Sequence, residues 1–160
     1  MTFLIREARE SDATAIWELN CNEMGYQYPL NFTIQKLNTL LRSECDKIFV
    51  AVSNDVVVGY IHANDYDVIY APHMKNIMGV AVSADYQRQG IGHALLEHIE
   101  LWARSTGAAG VRLVSGMTRT EAHAFYRSCG YTGNKEQINL KKYSDLLRTF
   151  SRSYPPLFTF

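Results

Sequence analysis

The sequence predicts an α/β domain built on a mixed sheet. Apolar residues recur with helical spacing over 11–25 and 33–41, and the pattern then changes to extended apolar runs at 48–52 and 56–61. Residues 76–114 read as a strand, a glycine-bearing turn, a long amphipathic helix and a second strand. Two neighbouring strands joined by a helix imply a parallel crossover, so parallel and antiparallel pairs should share one sheet.

The N-terminal part is predicted to form one strand and two helices. Residues 2–6 read as the strand, Ser11 or Asp12 can cap the first helix, and Gly25 can end it. Thr33 is the expected cap of the second helix. The side chains expected to face the core are Ile16, Leu19 and Met24 in the first helix and Ile34, Leu37 and Leu41 in the second.

An aromatic stretch separates these two helices. Tyr26 and Tyr28 stand beside a proline and are too aromatic for an ordinary solvated loop. Tyrosine is intermediate in burial, so two interpretations remain open. The rings either line a ligand-binding surface or cover the core.

The two extended runs predict an antiparallel hairpin. Asn54 and Asp55 join them, and both residue types tolerate the positive φ of a tight turn. Residues 63–73 then lead to the central strand through a stretch dense in tyrosine, acid and histidine. This stretch is a second candidate for substrate contacts.

The turn before the long helix has the chemistry of an anion site. Gly90 and Gly92 let backbone N–H groups approach a ligand where the helix N-terminus adds partial positive charge. A Walker loop would need Lys and then Ser or Thr where His93 and Ala94 stand, and a dinucleotide fingerprint would need a small residue at Leu95. An ordinary strand-to-helix connection is the alternative. The helix face expected to pack on the sheet comprises Leu95, Ile99, Trp102 and Ala103.

A later helix is predicted to carry a positioned tyrosine. Thr118 and Glu121 have the spacing of a capping box, and Gly130 can end the helix. Tyr126 would then lie on the third turn. From the residues alone it is either a hydroxyl held in a fixed place or a core aromatic.

Two segments resemble the GNAT superfamily of N-acetyltransferases. Residues 87–92 match its Gln/Arg-x-x-Gly-x-Gly signature, and residues 122–131 match its Ala-x-x-Phe-Tyr-x-x-x-Gly-Phe/Tyr segment. The resemblance implies the GNAT fold over residues 1–142, with a mixed central sheet of roughly six to seven strands, a splayed central parallel pair and about four flanking helices. Residues 141–143 are expected to finish the last strand.

The resemblance also implies acetyl-CoA as the co-substrate. The strand expected to align the pantetheine arm, and to offer a backbone N–H to the oxyanion, comprises Val80, Ala81 and Val82. The turn whose amides would bind the pyrophosphate comprises Gln87, Arg88, Gln89, Gly90, Ile91 and Gly92. Arg119 replaces an Asn found in many members and could reach the cofactor phosphates. Tyr126 would lie near the thioester sulfur.

Direct attack of an amine on the thioester, through a tetrahedral intermediate, needs an acid and a base. An unperturbed lysine-like amine, with a pKa of about 10.4, is mostly protonated at pH 7 and must lose a proton first. The departing thiolate must gain one. Tyr126 is the expected general acid, since an unperturbed tyrosine with a pKa of about 10 is protonated at neutral pH.

The base has several candidates. Alternation along the central strand predicts two faces without a carboxylate, one with Asn76, Met78 and Val80 and the other with Ile77, Gly79 and Ala81. The candidates elsewhere, each acting through water, are Glu23, Asp65, Asp67 and His73.

The acceptor is expected to be a primary amine of a small molecule. A peptide or protein amine, at an N-terminus or a lysine, is one alternative, and a non-catalytic acyl-CoA-binding module is another. The residues expected to contact the substrate are Tyr26, Tyr28, Asp65 and His73. A narrow pocket closed by tyrosines would favour the small molecule, and an open groove would favour a peptide.

Composition argues against several other classes. Sixteen basic residues balance sixteen acidic ones, so no broad positive field suggests a nucleic-acid partner. No apolar run is long enough to span a membrane, and the N-terminus lacks the apolar core of a signal peptide, so a cytoplasmic protein is expected. Cys21, Cys45 and Cys129 suit neither a disulfide framework nor a zinc site, so reduced thiols and no metal are expected.

Residues 143–160 are predicted to be an apolar C-terminal extension rather than a separate domain. They are too apolar for a free linker, and a contact with a partner subunit in a homodimer is the interpretation we favour. A remnant of the reading frame is the alternative.

Overall fold

A computed structural model describes residues 2–133 and 135–144. The chain divides into two compact units, Met1–Val114 and Ser115–Phe160. Apart from residues 143 and 144, the predicted C-terminal extension lies outside the described residues, so the homodimer contact assigned to it stays a prediction.

The first unit is organised around a mixed sheet in the order β1-β2-β3-β4-β5. Its strands are β1 (Leu4–Glu7), β2 (Asp46–Ser53), β3 (Val56–Val68), β4 (Ala71–Val82) and β5 (Val111–Leu113). Neighbours from β1 to β4 pair antiparallel, and β4 pairs parallel with β5. The prediction of a mixed sheet is confirmed.

The described sheet has five strands, fewer than the six to seven expected. Residues 135–144, where the last strand was expected, contain no strand. Ile138 and Leu140 would share one face of such a strand, yet each is 86% exposed. A strand needs a partner and a buried face, and these residues bury neither side chain.

Two hairpins connect β2 to β3 and β3 to β4. Asn54 and Asp55 join the first pair with φ of 49° and 63°, as predicted. The second hairpin forms most of the stretch 63–73 that was expected to lead to the central strand, because β3 and β4 continue through it and only Ile69 and Tyr70 form the turn. Cross-strand pairing such as Asp65 with Lys75 places the polar side chains of this stretch on strands.

Three helices flank the sheet: α1 (Ala13–Met24), α2 (Leu30–Leu40) and α3 (Ile91–Ser105). Gly25 ends α1 with φ of 73°, as predicted. Asp12 acts differently from the predicted cap, because its carboxylate binds the Arg6 guanidinium at 2.7 and 2.8 Å and accepts the Arg9 N–H at 2.7 Å. Thr33 lies inside α2, which begins directly after Pro29, a residue whose ring already fixes a helical φ.

The helices cover opposite faces of the sheet. Helices α1 and α2 enclose a core cluster made by Ala8, Ala13, Ile16, Leu19, Leu37, Ile48, Val50, Tyr60 and Ala81. Helix α3 buries Ile91, Leu95, Leu96, Ile99 and Ala103 on the other side. The predicted faces therefore hold for most positions, although Ile34 is 37% exposed.

Strand β4 contains a bulge at Met78. Ile77 pairs with Ala63, whereas Gly79 pairs with His62, so Met78 has no partner in the β3 register. An extra residue of this kind shifts the alternation of side chains along the strand. The alternation predicted from the sequence is therefore wrong beyond Met78.

Contacts on either side of the bulge show the change of face. Before it, the Lys75 ammonium lies 3.9 Å from the centroid of the Trp102 ring on α3. After it, a Cβ built on Gly79 would lie 3.5 Å from the Tyr60 hydroxyl and 3.7 Å from the Met24 methyl group on the α1 side. Ile77 therefore shares the α3 face with Lys75, whereas Gly79 turns to the face covered by α1.

The second unit contains α4 (Thr120–Ser128), which is followed by Gly130 with φ of 87°. Arg119 occupies the N-cap position and no side chain caps the helix. The predicted capping box is wrong, because the Thr120 N–H bonds the Thr118 carbonyl at 3.0 Å in a tight turn that leaves Thr118 before the cap position.

Within the described part of the chain, no helix combines the length and the apolar content needed to cross a membrane. Cys21, Cys45 and Cys129 are free thiols.

Candidate active site

The turn that follows β4 leaves a helix N-terminus open. Arg88 and Gly90 adopt positive φ values of 60° and 84°, and Gly90 directly precedes α3. No side chain caps α3, and a Cβ built on Gly90 would meet no atom within 4 Å. The N–H groups of the first helical turn lack intrahelical acceptors, so together with the helix dipole they can bind an anion.

Two glutamine side chains brace this turn. The Gln87 amide donates to the Val82 carbonyl at 3.0 Å, and the Gln89 amide donates to the Asp85 carbonyl at 3.3 Å. Arg88, between them, is exposed. The glutamines thus fix the path of the backbone, which leaves its N–H groups available to a ligand.

Strand β4 loses its parallel partner before it reaches the turn. Pairing with β5 runs from Lys75–Val111 to Ile77–Leu113, whereas β4 continues to Val82 in pairing with β3. Among the described residues, the segment 80–82 therefore has no strand partner on its β5 side, as the predicted splay requires, and the Val82 carbonyl on that side accepts the Gln87 amide. An extended ligand can hydrogen-bond to such an edge.

Glu23 lies in the last turn of α1 and is tied to the backbone after β4. Its carboxylate accepts the Ala84 N–H at 3.0 Å. Ala84 begins a short 3₁₀ turn, Ala84–Tyr86, so Glu23 caps that turn. This contact joins the end of α1 to the approach of the anion-binding turn.

Asp65 lies in an ion cluster on the α3 face of the sheet. It binds the ammonium of Lys75, a side chain that is only 2% exposed. His73 lies at the edge of this cluster, with its Nε2 3.5 Å from Asp65 and its Nδ1 2.9 Å from Asp67. Asp65 and His73 are therefore separated by the sheet from the face that α1 and α2 cover.

Tyr26 and Tyr28 lie between α1 and α2 with exposures of 53% and 46%. The Trp17 indole donates to the Tyr28 carbonyl at 2.7 Å, and the Tyr28 and Phe32 rings lie 5.9 Å apart. Neither tyrosine covers the core. Both rings are available to a ligand on this side of the sheet.

Tyr60 carries a buried hydroxyl that was not predicted from the sequence as part of the site. It lies on β3 with 7% exposure, and its hydroxyl donates to the Asn20 amide oxygen of α1. Burial raises the pKa of Tyr60 to about 12, with Tyr26 acting in the same direction and the Asn20 hydrogen bond opposing it. The one signal in the sequence was a tyrosine within an apolar run. Its hydrogen bond to α1 depends on tertiary structure and could not be predicted from the sequence.

A histidine and a carboxylate lie next to the bulge on the face of α1 and α2. His62 pairs in register with Gly79, and its Nε2 lies 2.7 Å from the Asp46 carboxylate. The Ser43 hydroxyl donates to the other oxygen of Asp46 at 2.6 Å. The His62 and Asp46 side chains are 17% and 14% exposed. This chain of hydrogen bonds orients the imidazole at the point where β4 changes face.

In the second unit, α4 carries Tyr126. Burial raises the pKa of its hydroxyl, an effect that the charge of Arg119 opposes. The Phe125 and Tyr131 rings lie 5.3 and 6.1 Å from the Tyr126 ring. The hydroxyl makes no hydrogen bond to any residue in the described ranges. Tyr126 therefore carries its proton at neutral pH.

A parallel strand pair that splays toward an uncapped helix N-terminus is the arrangement expected of an acyl-CoA-dependent acyltransferase. Residues 13–131 match the model of the Acetyltransferase (GNAT) family, and the chain belongs to that family. The predicted GNAT fold, the N-acetyltransferase class and acetyl-CoA as co-substrate are confirmed.

Known proteins are similar over most of the chain. An uncharacterized N-acetyltransferase, YhdJ, of Bacillus subtilis (strain 168) is 26% identical over 105 residues, which cover 66% of this chain and 74% of that protein. The aminoglycoside N(6')-acetyltransferase type 1 of Stenotrophomonas maltophilia is 26% identical over 132 residues, 79% of this chain and 84% of that enzyme.

A solved structure shares the fold. That of AAC(6')-Iy with the bisubstrate analogue CoA-S-monomethyl-acetylneamine superimposes with a TM-score of 0.80 at 14% identity, covering 90% of this chain and 100% of that one. Over residues 2–133 and 135–144, no group of three or more His, Cys, Asp or Glu residues could hold a metal ion.

Proposed function

We propose that this enzyme transfers the acetyl group of acetyl-CoA to a primary amine of a small molecule, by direct attack through a tetrahedral intermediate. The observation that carries the proposal is the path of β4, which leaves β5 after Ile77 and leads through the turn at 83–90 to the uncapped N-terminus of α3. The similarity to an aminoglycoside acetyltransferase over 79% of the chain supports a small-molecule acceptor.

The cofactor is assigned to β4 and the turn. The backbone amides of residues 87–92 bind the pyrophosphate at the helix N-terminus, and the open edge at Val80, Ala81 and Val82 aligns the pantetheine amides. A backbone N–H of the same segment stabilises the oxyanion of the tetrahedral intermediate. Arg119, which is exposed, contributes charge toward the cofactor phosphates.

Tyr126 acts as the general acid. Its raised pKa keeps the hydroxyl protonated at neutral pH, so it can deliver a proton to the departing thiolate. The geometry of α4 supports this role. Two neighbouring aromatic rings fix the ring of Tyr126, and its hydroxyl donates no hydrogen bond to a described residue, so the hydroxyl is available to the thiolate.

The amine loses its proton to His62 through water, with Asp46 orienting the imidazole. The three carboxylates proposed from the sequence make other contacts, since Glu23 caps the turn at Ala84, Asp65 neutralises Lys75 and Asp67 contacts His73. His62 lies on the face of α1 and α2, next to the bulge, and it has a carboxylate partner. A histidine backed by a carboxylate is a common general base.

The acceptor binds on the face of the sheet that α1 and α2 cover. Tyr26 and Tyr28 offer exposed rings there, and Tyr60 offers a hydroxyl beside Gly79. Asp65 and His73 lie on the other face and are not retained as acceptor contacts. The expected homodimer and cytoplasmic location stay predictions.

A thiol-release screen with acetyl-CoA tests this function against polyamines, amino acids, aminoglycosides and peptides. We expect turnover with small amines, and a decrease in kcat of about 10²-fold or more in Tyr126→Phe with little change in acetyl-CoA affinity. His62→Gln should lose a similar factor, with partial rescue by added imidazole. Turnover with peptides alone would favour a protein substrate, and acetyl-CoA binding without turnover on any amine would favour a non-catalytic module.

A further inference from the structure

Arg112 is a cation on the central sheet close to the point where β4 and β5 separate. It pairs in register with Asn76, one position before the last β4–β5 pair. Its Nη1 donates to the Asn76 side-chain oxygen at 2.5 Å, and its Cζ lies 4.1 Å from the centroid of the Tyr66 ring. Both contacts hold the guanidinium in one place.

These contacts lie on the sheet face opposite α3. Asn76 neighbours Lys75 on β4, whose ammonium lies against Trp102 of α3, so the Asn76 side chain points to the other face. The Asn76 amide also lies 3.1 Å from the Met78 sulfur at the bulge. Arg112 therefore faces the same side of the sheet as the proposed acceptor site.

The guanidinium has no carboxylate partner among residues 2–133 and 135–144. Asp46 shares this face but lies on β2, three strand spacings or roughly 14 Å away, which exceeds a Debye length of about 8 Å at physiological ionic strength. Asp46 is also bound by His62 and Ser43. Its charge therefore does little to compensate Arg112.

A partly buried guanidinium without a counterion can take its counter-charge from a ligand. Arg112 has five N–H donors, and its single hydrogen bond in the described structure, to Asn76, leaves most of them available. A planar guanidinium that is already oriented matches a carboxylate through two parallel hydrogen bonds.

We propose that Arg112 binds a carboxylate of the acceptor, so that the preferred substrate is an amine that carries a carboxylate, as amino acids do. This inference rests on the proposed acetyltransferase function. The splay begins one to two residues beyond Arg112 along the strands, a distance of roughly 3–7 Å at about 3.3 Å per residue.

The test compares each amino acid with its own carboxamide, which keeps the amine and removes the negative charge. With the wild-type enzyme we expect kcat/KM to favour the carboxylate by about 10- to 100-fold, the range that a hydrogen-bonded charge pair supplies. Arg112→Gln should remove this preference by raising KM for the amino acid, while the carboxamide is acetylated as before. Arg104→Gln, at an exposed position in the last turn of α3, is the matched control and should retain the preference.

Equal kcat/KM for acid and carboxamide in the wild type would overturn the proposal, and that comparison needs no variant. An equal decrease for both substrates in Arg112→Gln would also overturn it, since a structural role alone would act on both. If Arg112→Gln does not fold, Arg112→Lys takes its place, with an intermediate preference expected. If amines without a carboxylate are acetylated as fast as amines that carry one, the inference about Arg112 is refuted and the proposed function stands. If acetyl-CoA binds but no amine is acetylated, both the inference and the proposed function are refuted.

Discussion

Replacing Asp65 by Asn separates stability from catalysis at a residue that the sequence suggested as a base. The substitution keeps the size of the side chain and removes the charge that neutralises Lys75. Lys75 is 2% exposed, with the face of the Trp102 ring 3.9 Å away as its remaining electrostatic contact in the described structure. The variant therefore leaves a buried ammonium without a counterion.

The cost follows from the burial of both partners. Removing one member of a buried ion pair costs about 3–5 kcal/mol, and the lower end applies because Asp65 is 27% exposed and water screens part of the charge. For a chain of this length about 1 kcal/mol shifts Tm by roughly 2–4 °C, so about 3 kcal/mol lowers Tm by roughly 6–12 °C. The double variant Asp65→Asn with Lys75→Met should recover most of this loss, because a methionine packs against Trp102 without a charge.

Thermal unfolding of wild type, single and double variants measures the shift, and thiol release measured per folded molecule gives kcat. We expect kcat of the folded Asp65→Asn enzyme to remain close to wild type. A Tm change below about 2 °C would mean that the Lys75–Asp65 pair contributes little, contrary to the estimate for a buried pair. A decrease in kcat of about 10²-fold at unchanged folded fraction would restore Asp65 as a base and refute its assignment to structure.

Three further substitutions test separate contacts. Gly90→Ala should raise KM for acetyl-CoA several-fold. Gly107→Ala is the control, because Gly107 has φ of 72° and a Cβ built on it, as on Gly90, would meet no atom within 4 Å. It carries the same backbone strain of about 1–2 kcal/mol at the other end of α3. Tyr60→Phe should lower the free energy of unfolding by about 1–2 kcal/mol, because the Asn20 oxygen loses its donor. The pKa of Tyr60 is about 12 in the folded protein, which is higher than in the unfolded chain. The stability of the wild type should therefore fall as pH rises from 10 toward 12, and that of the variant should fall less. Burial of Asp12 acts to raise its pKa, but hydrogen bonds to the carboxylate outweigh this and keep the pKa below the usual value. Asp12→Asn should therefore destabilise the protein at pH 7, and the difference in stability from wild type should vanish in acid. Urea unfolding at several pH values measures this difference.

Local chemistry made the first hairpin turn and the turn before α3 predictable. Positive φ at Gly90, Asn54 and Asp55 occurs where the residue types demanded it, and the buried positions of α3 follow its 3.6-residue period. These features depend on a residue and its near neighbours. A sequence displays such information directly.

The acceptor half depends on pairing between distant residues. The side chain of Asp65 looked available as a base, but the hairpin register places it opposite Lys75. His62 was not among the candidates from the sequence, and its partner Asp46, with an oxygen 2.7 Å from Nε2, lies sixteen positions earlier in the chain. Neither contact follows from composition or spacing, because both arise from the register of β3 with its neighbours.

The bulge at Met78 accounts for the largest error in the predicted strand faces and also for the proposed position of the site. With regular alternation, Gly79 would share a face with Ile77 and look toward α3; the extra residue turns it toward Tyr60 and α1 instead. The same residue lies where β4 stops pairing with β5, so the shift of face and the opening of the strand edge occur together. Beyond the bulge, the edge of β4 toward β5 is open and can hold a thioester. The side chains of the strand have changed face at the same point, so an amine can approach from the face that α1 and α2 cover. We therefore expect the bulge to be the feature of β4 that joins cofactor binding to acceptor binding.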